Sequence, residues 1–249
     1  MSRRLRNAFL LMALFGWMSR AAYAQLKDNI EINVFGAGSF YTHQDYTISF
    51  PQTVIPNEGV FHLERAVRAG VRVGVYTHGH WSEEFFYSYE PNKAHFVLAA
   101  APNSPSVVPP VSPLVVPISV HNYGVTAIYY LNDDESHSFR PFLSIGIGGT
   151  LYHLTAQTEA FVRNPFQGGV PSMHSSNEVA MNYGIGLKAR VNHWLGFRTE
   201  ATGFLGGAPS FGLPHTSPDP TVQTLPVTGA IHNGEVSAGL VFYFFNRHY

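Results

Sequence analysis

Thirteen histidines in a 249-residue chain without cysteine are the first candidates for chemistry. His78 and His80 flank Gly79, and two imidazoles so placed could hold a metal loosely. His43, His62, His95, His174 and His215 are scattered through the long polar segments. A structural zinc site needs four ligands in a closed tetrahedral array, and a catalytic one about three. No set here has that spacing, so solvated turn and loop histidines are expected. His121 and His153, near strand ends, read as interfacial side chains. Nucleophilic chemistry would need a serine beside a base that a third group orients. The close pairs are His137–Ser138, His174–Ser175 and His215 with Ser217, and all lack a strand-borne acid nearby. Gly146, Gly148 and Gly149 make a glycine-rich run, but no helix follows it, so it is no phosphate loop. The expectation is no catalytic residue, no metal and no cofactor.

The remaining reactive side chains are charges, and they recur at every second position. In NYGIGLKARVNHWLGFRTEATGF (residues 182–204), Tyr183, Ile185, Leu187, Ala189 and Val191 alternate with Gly184, Gly186, Lys188 and Arg190. Leu195, Phe197, Thr199, Ala201 and Gly203 then alternate with Gly196, Arg198, Glu200 and Thr202. Strand side chains point to opposite faces in turn, so one face is apolar and the other charged. The same split puts Val67, Ala69, Val71, Val73 and Val75 opposite Arg68, Gly70, Arg72 and Gly74. Leu143, Ile145 and Ile147 stand opposite Arg140, Ser144 and Gly146, and Phe85 and Tyr87 opposite Glu84 and Ser88. Val236, Ala238, Leu240, Phe242 and Phe244 stand opposite Glu235, Ser237, Gly239 and Tyr243.

Eight runs of strand character position these faces. They are Ile30–Tyr41, Ala66–Tyr76, Trp81–Glu90, His121–Leu131, Phe139–Leu154, Glu178–Val191, Leu195–Gly206 and Gly234–Phe244. Most approach or exceed the roughly 9–11 residues of a tilted membrane-spanning strand. The connections alternate long, short, long, short, long, short, long, which puts every long loop at one end of an up-and-down meander. Pro91 to Val120, proline-rich, reads as an extended or polyproline-like loop rather than an interdomain linker. An even count of strands closes antiparallel and leaves no edge.

Composition agrees. Charged residues make up 12% of the chain and aromatic ones 14%, against a charged share of about 25% in ordinary soluble domains. The start, MSRRLRNAFLLMALFGWMSRAAYAQ, has a basic stretch (Arg3, Arg4, Arg6), a short apolar stretch and small residues Ala22 and Ala24 before a cleavage point. This predicts a secretory signal over residues 1–24 and a mature domain over 25–249. Its four arginines take the basic count from 15 to 11 against 16 acidic residues. That balance gives no reason to expect nucleic-acid binding. A lipid-facing arginine near the bilayer midplane costs on the order of 2–4 kcal/mol. The charges therefore belong inside, as an ion-pair network of Arg68, Arg72, Glu84, Arg140, Lys188, Arg190, Arg198, Glu200 and Glu235. Tyr41, Trp81, Tyr89, Tyr129, Tyr152, Trp194 and Phe244 fall near strand ends, where interfacial aromatic girdles sit.

The export signal, the eight strands and the GIGLKARVNHWLGFRTEATG hairpin resemble the small outer-membrane barrel family, which includes the transmembrane domain of outer membrane protein A and the opacity-type surface proteins. GVRVGVYTHGHWSEEFFYSY (Gly70–Tyr89) is similar to the family's first periplasmic hairpin. The resemblance implies an all-β fold: an eight-stranded antiparallel up-and-down transmembrane β-barrel with short periplasmic turns and four long extracellular loops. It implies a C-terminal assembly signal, matched by Gly239, Phe242 and Phe244, with Ala238 where a polar residue is usual. The implied partners are outer-membrane lipid and lipopolysaccharide, the barrel-assembly machinery and periplasmic chaperones, and an extracellular ligand of unread identity. Nucleic acid is not among them, and the state expected is a monomer in the bacterial outer membrane. The expected role is non-enzymatic, structural or surface-interacting through the loops. The alternatives are a narrow channel and, because some small barrels modify lipid A, a lipid A-modifying enzyme. A soluble periplasmic ligand-binding barrel ranks below these.

Overall fold

The computed structural model describes residues 30–41, 46–49, 58–78, 80–98, 114–132, 138–162, 173–214 and 230–244. The expected signal (1–24) and the chain after Phe244 lie outside these residues. So do His43, His137 and His215.

Among the described residues, ten strands and one helix form in the order β1 (Ile30–Tyr41), β2 (Tyr46–Ser49), β3 (Glu58–Leu63), β4 (Ala66–His78), β5 (Trp81–Leu98), β6 (Leu114–Tyr130), β7 (Phe139–Leu154), α1 (Ala156–Val162), β8 (Ser176–Arg190), β9 (Leu195–Gly207) and β10 (Ala230–Phe244). Eight of the strands pair with their chain neighbours, all antiparallel, and β1 pairs with β10 through Ile30 opposite Phe244 to Tyr41 opposite Asn233. The β5–β6 pairing completes the ring. The result is a closed eight-stranded up-and-down barrel, with β2 and β3 as a hairpin that extends from the far half of β5. No helix among the described residues is long and apolar enough to cross a membrane.

One expectation needs correction. Pro91 to Val120 is not an extended loop throughout: β5 runs on through Leu98, and β6 begins at Leu114. Pro91 lies opposite Ser119, and Pro117 opposite Lys93. The two prolines do not break this ladder, which runs on to Phe96 opposite Leu114, and β3 pairs with the far half of β5 from Ala94 on. The loop Thr155–Asn177 likewise holds α1, whose first turn is capped by the Thr155 hydroxyl accepting from Thr158 N at 3.4 Å.

Backbones approach most closely where glycines face each other across strands. Gly124 of β6 lies opposite Gly148 of β7. A Cβ on Gly148 would stand 1.9 Å from the carbonyl oxygen of Tyr123 and 2.7 Å from Gly124 Cα. Both are backbone atoms, which cannot swing aside. Gly148→Ala should therefore disturb β6–β7 pairing, with a cost at or above the usual overpacking range of about 1–3 kcal/mol. Gly38→Ala, where a Cβ meets nothing within 4 Å, is the matched control and should refold like the parent. Refolding yield of the two variants in detergent checks this, and equal yields would refute it. Elsewhere aromatic rings lie over cross-strand glycines, Phe35 on Gly70 and Phe142 on Gly186 inside, Tyr183 on Gly203 and Phe40 on Gly234 outside. Each ring fills the space that the glycine leaves.

Candidate functional site in the barrel interior

Alternation along the strands separates an outer wall from a lumen. Val34, Val67, Val73, Phe85, Leu143, Ile145, Ile147, Ile185, Leu187, Phe197, Val236 and Leu240 are exposed on the outer side. Arg68, Arg72, Glu84, Glu90, Lys188, Arg198, Glu200 and Glu235 are buried on the inner side. Water-facing walls carry charge and cores carry aliphatic side chains. This barrel has the two inverted.

The interior charges form a connected chain. Arg68 donates from Nη2 to Glu90 Oε2 at 2.7 Å and from Nη1 to Glu235 Oε2 at 2.7 Å. Arg72 donates to Asn33 Oδ1 at 3.0 Å and Glu235 Oε1 at 3.3 Å, and lies 3.4 Å from Glu200 and 3.8 Å from Glu84. Arg198 donates to Glu84 Oε2 at 2.6 Å and Glu200 Oε2 at 2.7 Å. Nearer the turn end, the Lys188 ammonium donates to the Glu31 carboxylate and to the Tyr130 hydroxyl. Guanidinium faces rest on rings: Arg72 over Phe35 at 3.6 Å and Arg198 over Phe142 at 4.6 Å. Planar, weakly hydrated arginine suits a dry site where each face can stack and each edge can bond.

Of the nine interior charges expected from sequence, six join this chain, and a seventh, Lys188, pairs beside it with Glu31. Arg140 and Arg190 are placed differently, half-buried at the turn end. Arg140 lies over the Tyr130 ring at 3.8 Å, and Arg190 over Tyr243 at 4.9 Å with bonds to the carbonyls of Asn192 and His193. They belong to the rim because they sit near the ends of β7 and β8, where the lumen opens. Two carboxylates were missed. Glu90 is fully buried and accepts from Arg68, from the Tyr41 hydroxyl at 2.8 Å and from Asn92 at 2.5 Å. Glu31 sits on the inner face of β1 opposite Gly74. The period-2 pattern contains both, since Glu90 is two residues beyond Ser88.

Two expected girdle residues also face inward. Tyr41 reaches Glu90, and Tyr152 is buried against Phe211. Trp81, Tyr89, Tyr129, Trp194 and Phe244 are exposed on the wall. Above the charges the inner face turns apolar: Leu63, Ala94, Val116, Ile118, Val120, Tyr152, Leu154, Phe211, Leu213 and Ile231 pack as one core across the loop end. Phe211 holds φ of 48°, uncommon for a bulky side chain, with its ring buried in this core. Beside the charge chain lies a void of about 10 Å³, room for about one water, bordered by Arg72, Glu84, Ser88, Asn182, Glu200 and Thr202.

On the wall, Ser119, His121 and Tyr87 are brought together, a set that sequence pairing did not single out. The His121 ring bonds the Tyr87 hydroxyl at Nδ1 (2.7 Å) and the Ser119 hydroxyl at Nε2 (3.0 Å). Of the Ser–His pairs named from sequence, His174 Nδ1 bonds the Ser175 carbonyl at 2.9 Å, while Ser175 Oγ bonds His153 at 3.0 Å. Among the described residues no group of three or more His, Asp or Glu is placed to hold a metal.

A closed eight-stranded antiparallel barrel with an apolar wall and a charged, filled lumen is the fold of the small outer-membrane barrels. Among solved structures, it is similar to the outer membrane protein OprG from Pseudomonas aeruginosa, with a TM-score of 0.51 at 11% identity over 87% of this chain and 96% of that one. It is also similar to the N-terminal β-barrel domain of Pseudomonas aeruginosa OprF (TM-score 0.44, 12% identity, 88% and 98% covered) and to Neisserial surface protein A (TM-score 0.43, 13% identity, 86% and 97% covered). At such identities the shared property is the fold. No family model and no curated protein matches the sequence.

Proposed function

We propose that this chain is a non-enzymatic outer-membrane barrel whose role is structural or surface-interacting and is carried by the segments at its loop end. The leader over residues 1–24 exports it, and Gly239, Phe242 and Phe244 serve as its assembly signal. The turn end then faces the periplasm and the loop end the outside, as in bacterial barrels of this size. The observation that carries this reading is the inversion of wall and lumen: aliphatic side chains out, paired charges in. A lumen of eight strands is just wide enough for side chains to fill, and here arginine–carboxylate pairs and rings fill it. Its partners are outer-membrane lipid and lipopolysaccharide, with the barrel-assembly machinery and periplasmic chaperones on the route there.

Heat-modifiability tests the reading. The folded chain in detergent should migrate differently before and after boiling, be recovered in the outer-membrane fraction, and give no steady conductance in planar bilayers. Solubility without detergent would sink the membrane reading. A narrow channel is the second reading, favoured by the void beside Arg72 and by the longer contacts of that arginine, 3.3–3.8 Å to its carboxylates. Discrete conductance steps that change in Arg72→Ala would establish it in place of the closed lumen.

A further inference from the structure

Near the loop end the outer wall carries polar side chains on β5, β6 and β7, as it also does where Tyr183 of β8 meets His232 of β10. On β5 the outward positions run Phe85, Tyr87, Tyr89, Pro91, Lys93; on β6 they run Val125, Tyr123, His121, Ser119; and β7 adds His153. Register brings these together: Pro91 lies opposite Ser119 and Ser119 opposite His153, while Lys93 is one outward step beyond Pro91. The rings of His121 and His153 stand edge to face, 6.1 Å apart. Hydroxyls hold their orientation, Tyr87 and Ser119 on His121 and Ser175 on His153.

No outward position of this cluster carries a carboxylate. Glu83, the outward acid of β5, lies at the turn end, opposite Val75 and Ala127. Glu64 on the extension is engaged by His95 Nε2 at 2.5 Å, and Glu159 on α1 is half-buried. Lys93, His121 and His153 thus share one patch with hydroxyls and, among the described residues, without a carboxylate at an outward position beside them. Elsewhere on the wall, the outward residues toward the loop end include Phe40, Val67 and Leu205.

We infer that Lys93, His121 and His153 form a binding site for the phosphate of an outer-leaflet lipid. This rests on the membrane reading above and adds the site and the chemistry it takes. Tyr87 and Tyr89 mark the upper edge of the apolar wall, and a headgroup phosphate lies just beyond the acyl chains. Basic side chains at that depth attract anionic headgroups. Lys93 and His153 Nε2 are the direct donors to phosphate oxygens, while His121, bonded at both nitrogens, acts through the Tyr87 hydroxyl it holds. Hydrogen bonds from a charged donor are about twice as strong as neutral ones.

The test uses the full chain, purified folded in mild detergent, with bisphosphorylated lipid A, the same lipid chemically dephosphorylated, and inorganic phosphate as three probes. Retention is read by native mass spectrometry. The phosphorylated lipid should bind at least tenfold more tightly than the dephosphorylated one. Lys93→Gln/His121→Gln/His153→Gln should abolish the preference, and Lys93→Glu, at an exposed position, should weaken it at least threefold even if the triple variant folds poorly. Tyr183→Phe, on another sector of the wall, should retain it. Equal retention of both lipids, or an unchanged Lys93→Glu variant, would overturn the site. Inorganic phosphate competing as well as the lipid at equal concentration would overturn its assignment to a lipid. A chain that gives no heat-modifiable band in any lipid would instead bring down the membrane reading itself.

Discussion

Arg68→Met should destabilise the folded barrel by about 3–5 kcal/mol, the range for removing one partner of a buried ion pair. Methionine keeps much of the volume but no charge, so Glu90 and Glu235, at 0% and 1% exposure, would face each other without their shared cation. The cost comes from stranding carboxylates, not from losing attraction, since a well-packed apolar substitute for the whole group can be neutral. Arg68→Met/Glu90→Gln should for that reason recover part of the loss. Glu90→Gln alone keeps the Tyr41 and Asn92 bonds to a side-chain oxygen, and should be milder than Arg68→Met. Urea unfolding in lipid vesicles, followed by tryptophan fluorescence, measures all three. A midpoint for Arg68→Met equal to that of the parent would show that the network contributes nothing to stability.

Ile147→Arg should cost about 2–4 kcal/mol if the wall faces hydrocarbon, and Val191→Arg about 0–1 kcal/mol, because the penalty falls toward the interfaces. Ile147 is 59% exposed in the middle of β7, opposite Val125 and Met181; Val191 is 66% exposed beside the turn to β9. Exposure is nearly the same, so depth alone separates them. In a water-facing wall both arginines would be harmless. Folding yields and urea midpoints in vesicles of defined thickness decide between the two. Equal, small effects would put water on the outside of the barrel and leave the outer leaflet out of the account.

Much of this architecture is local information. Which side chains share a face follows from a backbone period of two, so Arg68 with Arg72, and Arg198 with Glu200, are placed together without knowing any partner strand. The ends of β1 and β7 fall where the pattern and the flanking polar residues put them. The order of long and short connections gives the meander, because a short turn obliges neighbouring strands to pair. Inside and outside are then settled by the sign of the charge argument.

Other features are decided by contacts between residues far apart in the chain. That Arg68 takes Glu90 and Glu235 while Arg198 takes Glu84 depends on the stagger of eight strands around the ring, which no single run encodes. β5 and β6 continue past Pro91 and Pro117 paired with each other, and β3 adds to β5 from Ala94 on, a support that local proline signals cannot register. The same alternation that sends charges inward through Glu90 sends Ala94, Val116 and Ile118 inward beyond it, and there they meet Leu63, Phe211 and Ile231 from three other segments. The sequence by itself determined the barrel, its faces and its sense. Only the tertiary structure decided which charges pair, that Arg140 and Arg190 stay at the rim, and that an apolar core covers the loop end, since each depends on partners brought together by closure of the ring.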